Sequence, residues 1–197
     1  MRVTQRGLSL VELMISLAVG LLVLLVLSDV LVNLLATQAQ DRRRSQLSAM
    51  LDGAASLIAV DLRRAGYDAG GAARTPYGKV FISPDGSCLR YAYDTPPGMP
   101  ASSKRYFAVR LNRAAEDGPR LERLQTTESG WRCDAPETDW QAMSSPGLGR
   151  ITALRFGKQQ GGIEIELAGE ENSGEKPETV AIRTLVSLRN QPEASIQ

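Results

Sequence analysis

This sequence contains few residues of the types that catalyse reactions or bind metals. The residue types that it lacks exclude several classes of function. Its 197 residues include no histidine, which excludes Ser-His-Asp and Cys-His nucleophile systems and every histidine-containing metal site. The two cysteines, Cys88 and Cys133, are too few for a zinc site of four thiolates. Neither a G-x-x-x-x-G-K-[ST] phosphate loop nor a G-x-G-x-x-G motif occurs. We therefore expect a protein that is not an enzyme and that needs no cofactor and no metal.

The charges are balanced overall but unevenly distributed along the chain. The 23 Lys and Arg residues against 22 Asp and Glu residues give a formal net charge of +1, which argues against direct binding of nucleic acid. Residues 1–40 contain only four charged residues, whose charges cancel: Arg2, Arg6, Glu12 and Asp29. The pattern indicates a short apolar N-terminal segment attached to an ordinary polar domain.

One carboxylate lies inside the apolar segment. Between Gly7 and Ser28 the only charged residue is Glu12. As a helix, residues 8–28 span roughly 30 Å, the thickness of a membrane's hydrocarbon core. A cleaved secretory signal is the alternative, but SDVLVNLLATQ is a poor cleavage site at the end of the apolar run. We predict a retained transmembrane helix over about residues 8–28.

Glu12 needs a cationic partner, because an ionised group inside a membrane is costly and is usually paired. Cleavage after Gly7 would give Leu8 a free α-amine four residues before Glu12. An amine with a pKa of about 7.7–8.0 is mostly protonated at neutral pH, so it could neutralise Glu12 of its own chain or of a neighbour. A plain signal anchor with a chance glutamate is the alternative.

The stretch RGLSLVELMISLAVG resembles the prepilin peptidase site of type IV pilins and type II secretion pseudopilins. The family pattern is a basic leader, a glycine, a large apolar residue, and a glutamate as the fifth residue after the cut. The resemblance implies cleavage between Gly7 and Leu8 and N-methylation of Leu8. It also implies that Glu12 pairs with the N-terminal amine of an adjacent subunit, in a protein whose N-terminus starts in the cytoplasm.

Three further features of the apolar segment bear on packing and on the kind of subunit. Ser16 and Gly20 share a helical face with Glu12, and small residues at this spacing let membrane helices approach closely, although such helices also tolerate them without any role. Asp29 is expected at the far membrane interface as a solvated residue. Many major pilins carry a proline further along this helix; this chain has none before Pro76, which favours a minor subunit.

The helix is predicted to continue far beyond the membrane. Apolar residues return with alternating spacings of four and three, and we expect Asp61, Arg63 and Arg64 to lie off that stripe. Gly66, reinforced by Gly70 and Gly71, is the expected stop. The apolar stripe consists of Leu47, Leu51, Ala54, Ile58, Leu62 and Ala65. The expected domains are a leader over 1–7, a long helix over 8–65 and a β-rich globular domain over 66–197.

The rest of the chain is predicted to form antiparallel strands. Turn sequences such as Ser-Pro-Asp-Gly-Ser separate apolar or alternating runs, which indicates successive hairpins laid against the helix. We expect an α+β fold shaped like a lollipop, as the resemblance also implies, with variable loops at 94–104 and 134–149. The predicted strands are 80–82, 88–93, 106–111, 121–125, 151–156, 163–167 and 179–188.

The cysteines and an acidic loop complete the candidate sites. If residues beyond the helix lie outside the cytoplasm, Cys88 and Cys133 are expected to form a structural disulfide; two free buried thiols are the alternative. Asp134, Glu137 and Asp139 lie near Trp131 and Trp140. We expect a solvated loop there rather than a carboxylate or calcium site.

Short segments add a finer resemblance to the minor pilin family PilW. They are VDLRRAGYD at 60–68, CLRYAYD at 88–94 and VSLRN at 186–190. Arg63 and Tyr67 are either interaction residues or, as we expect, helix-cap and packing residues. The resemblance implies a structural minor pilin that primes or caps a type IV pilus.

The partners that the resemblance implies are the prepilin peptidase, other minor pilins, the major pilin, the assembly platform, a tip adhesin and the inner membrane. A tip subunit like type II secretion pseudopilin J, and a signal-anchored periplasmic binding module, remain the alternatives.

Overall fold

The computed structural model describes residues 9–69, 78–95, 98, 104–127, 131–172 and 177–190. One helix, α1 (Leu10–Arg64), precedes eight strands, which confirms the α+β class. A short 3₁₀ turn, Glu137–Asp139, lies before the fifth strand. The strands are β1 (Phe81–Ile82), β2 (Cys88–Ala92), β3 (Tyr106–Asn112), β4 (Arg120–Thr126), β5 (Trp140–Ala142), β6 (Arg150–Gln159), β7 (Gly162–Glu170) and β8 (Thr179–Val186).

The chain divides into two units, of residues 1–42 and 43–197. In the first unit, the described residues belong almost entirely to the first part of α1, and all of them are exposed. This part of the helix is long and apolar enough to cross a membrane, and none of its apolar window is buried. Such a sequence folds locally, because every interior backbone group is satisfied within the helix.

In the second unit, the remaining part of α1 is amphipathic. The six apolar residues of the predicted stripe, from Leu47 to Ala65, are all buried, as expected. Asp61 is also buried, with only 4% of its surface exposed, so the expectation that it lies off the stripe was wrong. Gly66 ends the helix with a φ of 83°, a left-handed conformation that glycine adopts without strain.

The strands form two antiparallel sheets rather than one continuous meander. The first has the order β1-β2-β3-β4-β5 and the second the order β6-β7-β8. The Phe156 N–H of β6 donates a hydrogen bond to the Gly86 carbonyl in the β1–β2 turn, at 2.8 Å, which links the second sheet to that turn. Apolar residues of both sheets and of the helix stripe form one core.

The β1–β2 turn has the geometry that its sequence predicts. Gly86 has a φ of 73°, and a Cβ there would lie 3.0 Å from the Phe156 carbonyl oxygen. Hydrogen bonds from the Ser83 hydroxyl, and then from Ser87, lower the pKa of Asp85 to about 2. The turn is therefore closed by an ionised aspartate that accepts hydrogen bonds from serines on both sides of it.

Two glycines let the helix lie close to the second sheet. A Cβ on Gly149 would lie 2.7 Å from Leu47 Cδ1, and one on Gly169 would lie 3.1 Å from the same atom. Leu47 itself is completely buried. The helix therefore approaches the sheet backbone at a distance that larger residues would not permit.

The outer face of the first sheet is covered by the segment 131–142. Both tryptophans of the chain lie in it, with 6% of Trp131 and 8% of Trp140 exposed. They pack with Ala92, Ala108 and Leu124 in a second, smaller core. The expectation of a variable loop over 134–149 was therefore wrong in part, because it missed β5, whose Trp140 pairs with Leu124.

A disulfide and a buried ion cluster hold this covering segment. Cys88 in β2 is bonded to Cys133, the pairing expected from the sequence. Arg110 donates from Nε to the Glu122 carboxylate at 2.8 Å and from Nη1 to the Cys133 carbonyl at 2.8 Å. Burial opposes ionisation of Glu122, but hydrogen bonds from Arg120, Asn112 and Arg110 outweigh it and lower the pKa of this carboxyl.

We predict that replacing both cysteines by alanine loosens the tryptophan-bearing segment. The bridge closes a sequence separation of 45 residues. Its loss should lower the free energy of unfolding by about 4 kcal/mol in the chain-entropy model. Urea unfolding of the full chain in detergent, followed by tryptophan fluorescence, should show a lower midpoint than the wild type. Reductant should lower the wild-type midpoint and leave that of the double variant unchanged; equal midpoints in the two proteins would contradict the prediction.

Candidate functional site

Glu12 lies in the first turn of α1 and is exposed. The Ser9 carbonyl accepts the first helical hydrogen bond, from the Leu13 N–H at 3.1 Å. Ser9 is therefore the N-cap and Glu12 the third helical residue. A carboxylate at this position is favoured by the partial positive charge of the helix N-terminus.

Ser9 and Glu12 also match the capping-box pattern, in which serine at the N-cap is followed three residues later by Glu or Gln. Sequence reasoning based on charge missed this local explanation, although the spacing Ser-Leu-Val-Glu carries the signal. Glu12 can thus support the helix start and also present a negative charge. Glutamine could replace it in the first role but not in the second.

Ser16 and Gly20, the two predicted helix-packing residues, are also exposed on α1. The Ser16 hydroxyl donates to the Glu12 carbonyl at 2.8 Å, so its hydrogen-bonding capacity is met within the helix. A Cβ added to Gly20 would have no atom within 4 Å. The fold of this chain therefore gives no steric reason for glycine at position 20. The closeness to a neighbouring helix that we expected for these residues stays a prediction.

The surface around these residues is apolar on all sides of the helix. Large apolar side chains from Leu10 to Leu35 are each more than half exposed. Such a surface must be covered by lipid or by other apolar helices. Gly7 and Leu8, the predicted cleavage site, and Gly70 and Gly71, the predicted reinforcement of the helix stop, lie outside the described residues.

At the other end of α1, a polar network is buried in the core. The hydroxyls of Tyr91 in β2 and of Tyr93, just after this strand, donate to the two carboxylate oxygens of Asp61, each at 3.1 Å. Arg123 in β4 donates to the same carboxylate and forms an ion pair with it. A single helix residue is therefore bonded to two strands of the first sheet.

Aromatic stacking and burial complete this network. The Tyr93 and Phe107 rings are stacked with centroids 4.2 Å apart, and Arg123 lies over the Phe107 ring. Burial first, and then the negative charge of Asp61, raises the pKa of Tyr91 well above its usual value and that of Tyr93 to about 12. Both hydroxyls therefore stay protonated and able to donate near neutral pH.

The three short segments that carried the finer resemblance meet at this end of the helix. Segment 60–68 supplies Asp61, and segment 88–94 supplies both tyrosines. The Gly66 N–H donates to the Ala92 carbonyl at 2.9 Å. The Asn190 amide of segment 186–190 lies 3.4 Å from the Arg64 carbonyl oxygen, which also accepts from the Tyr67 N–H at 3.0 Å. The segments share a structural role in fixing the helix end.

Within these segments, Arg63 is exposed and Tyr67 is half-buried against the main core. Tyr67 thus has the packing role that we expected, and its carbonyl accepts from the Asp94 N–H at 2.9 Å. In the predicted acidic loop, exposed Asp134 forms a two-bond pair with Arg132, whose hydrogen bonds lower the pKa of this carboxyl. Among the described residues, no three side chains of metal-binding type come together.

Two models of known protein families match this chain, one in its N-terminal segment and one in the rest. The model of the prokaryotic N-terminal methylation motif matches residues 2–28, which include Glu12, Ser16 and Gly20. Together with the exposed apolar helix and the antiparallel sheets, this defines a type IV pilin-like protein. A second model, described as prepilin peptidase-dependent protein B, matches residues 40–188. The chain belongs to the prepilin peptidase-dependent protein B family. Neither the curated proteins nor the solved structures contain a significant match to it.

We predict that Gly20→Leu leaves folding unchanged and weakens contacts with neighbouring pilin-like helices. The chain itself has open space at this position, so any loss must arise between molecules. Ala18→Leu, a similar enlargement on a different face of the same helix, is the control. Co-purification of other pilin-like subunits should fall by roughly tenfold for Gly20→Leu, because small residues permit close helix approach. Equal yields for the two variants would show that Gly20 is merely tolerated.

A second prediction concerns the buried carboxylate. Asp61→Ala leaves Arg123 and two tyrosine hydroxyls without their shared acceptor, so the free energy of unfolding should fall by about 3–5 kcal/mol. Asp52→Ala, at an exposed position of the same helix, should change it by less than about 0.5 kcal/mol. Urea unfolding of both variants measures the difference. Similar urea midpoints for the two variants would contradict the stabilising role of Asp61.

Proposed function

We propose that this chain is a structural minor pilin, of the PilW kind, that primes or caps assembly of a type IV pilus. Its role is to pack against other subunits, with no chemistry of its own. The observation that carries the proposal is the combination of a carboxylate in the first helical turn with an apolar helix surface that the chain leaves uncovered. A neighbouring subunit can supply an N-terminal amine for this carboxylate and an apolar helix for this surface.

In this proposal the chain first lies in the inner membrane as a single-pass protein with its N-terminus in the cytoplasm. Prepilin peptidase cuts between Gly7 and Leu8, and the new N-terminus at Leu8 is methylated. The leader is residues 1–7, and about residues 8–28 span the membrane. The match to the N-terminal methylation motif and the apolar helix both support this sequence of events.

Two observations favour a minor subunit. The long helix runs without interruption from Leu10 to Arg64, and no proline occurs before Pro76. The segments similar to PilW form one connected structure around the helix end, through Asp61 and Asn190. On this basis the partners are other minor pilins, the major pilin, the assembly platform and a tip adhesin.

The proposal predicts that Glu12→Gln blocks assembly without blocking insertion or processing. Glutamine is compatible with the capping box but carries no charge to pair with an amine. Incorporation into sheared pili, measured by immunoblot, should fall by roughly tenfold or more if a buried charge pair is lost. Asp29→Asn, which removes the other acidic charge of the apolar segment, should have little effect.

The mass of the mature chain distinguishes a failure of the Glu12 pairing from a failure of the proposed function. Both variants and the wild type should begin at methylated Leu8. Normal incorporation of Glu12→Gln would contradict the pairing of Glu12 with an amine. A wild-type protein that still begins at Met1 in piliated cells would contradict the proposed function itself. Loss of protein secretion instead of piliation in a deletion strain would indicate a pseudopilin of type II secretion.

A further inference from the structure

In the described part of the chain, strand β8 is an open edge of the second sheet. It pairs with β7 along all eight residues, from Thr179 to Val186, and it is the last strand in the order β6-β7-β8. On its other side, no backbone hydrogen bond to β8 occurs anywhere in the described parts of the chain. In an antiparallel edge strand, about half of the N–H and C=O groups point away from the neighbouring strand. These groups are available to another strand.

The other sheet edges are short or occupied. β1 has two residues and β5 has three, which is too short to receive a long strand. On β6, the Phe156 N–H donates to the Gly86 carbonyl, and Arg113 donates to the Thr152 carbonyl at 3.4 Å. Within the described residues, β8 is therefore the long edge that remains open.

The composition of β8 favours pairing rather than protection. Its sequence, TVAIRTLV, contains five β-branched residues, one charge and no proline. Natural edge strands that avoid pairing usually carry lysines, prolines or bulges. Val180 and Ile182 pack against the main core but are only partly buried, and 52% of Leu185 is exposed on the outer face. An added strand would finish the burial of the two core-facing residues.

Charges on the outer face indicate the chemistry of the incoming strand. Arg155, Glu166 and Arg183 are direct neighbours across β6, β7 and β8, so their charges alternate in sign. Arg183 is paired with Glu166 and lies 3.7 Å from Glu164. A further strand would continue the alternation with an acidic residue opposite Arg183. β8 itself contains no acidic residue, so a second copy of β8 cannot supply one.

We infer that β8 receives an extended strand from an adjacent, different pilin-like subunit. That strand carries apolar side chains beside Val180 and Ile182 and an acidic side chain beside Arg183. Backbone hydrogen bonds supply the attraction, and the alternating side chains supply the selectivity. The inference rests on the proposed function, because it requires a neighbouring subunit in an assembly.

Hydrogen–deuterium exchange tests the edge directly. The full chain in detergent would be compared alone and in the purified complex with its co-expressed pilin-like subunits. About half of the eight β8 amides should exchange roughly tenfold more slowly in the complex, because they gain hydrogen bonds, while β6 should not change. A complex that forms with unchanged exchange in β8 would overturn the inference and leave the proposed function intact.

Other outcomes identify other occupants of the edge. Full protection in the isolated chain would mean that its own residues cover the edge, and protection that rises with its concentration would mean self-pairing. Either result overturns the inference. Failure of the wild-type chain to co-purify with any pilin-like subunit overturns the proposed function, and this inference falls with it.

Charge reversal tests the chemistry of the partner strand. Arg183→Glu would place two acidic residues opposite each other and should reduce the recovered partner by roughly tenfold or more. Arg155→Glu is the matched control, because Arg155 is exposed in the same row on β6, and it should leave recovery nearly unchanged. Thermal unfolding checks that both variants fold. Equal recovery with the two folded variants would overturn the inference that the partner strand carries an acidic side chain beside Arg183.

Discussion

The buried carboxylate of Asp61 is the interaction on which the arrangement of the globular unit depends. It is bonded to Tyr91 of β2, to Tyr93 just after that strand and to Arg123 of β4. A buried charge of this kind is costly unless all its partners are present, so it specifies one register between helix and sheet. The apolar stripe from Leu47 to Ala65 is also buried in the core, but apolar contacts alone are less selective about register.

The same helix meets two different environments along its length. Between Leu10 and Leu35 it exposes apolar side chains on every side, whereas from Leu47 onward it buries one stripe and exposes the rest. The first pattern suits lipid or a bundle of similar helices, and the second suits a helix on the surface of a folded domain. Membership of the prepilin peptidase-dependent protein B family fits this division, since the two family models match the two parts of the chain in turn.

Much of the fold could be predicted because its signals are local. The stripe follows the helical period, Gly66 ends it, and turn sequences such as Ser83–Ser87 mark the hairpins. The burial of Asp61 could not be predicted, because helical periodicity identifies apolar residues only. The residues that bind its carboxylate lie 30 to 62 positions away in the sequence. β5 was missed because three residues ending in Gln-Ala carry little strand signal. Glu12 could be identified from charge in an apolar stretch, but its capping position follows only from where the helix begins.

The contact between Asn190 and the last helical turn has a consequence for the order of folding. Asn190 lies 126 residues after Arg64, whose carbonyl it faces. The contacts around the final turn of the helix are therefore complete only when nearly all of the polypeptide is available to fold. Packing at the helix end thus depends on residues that follow the last strand, β8.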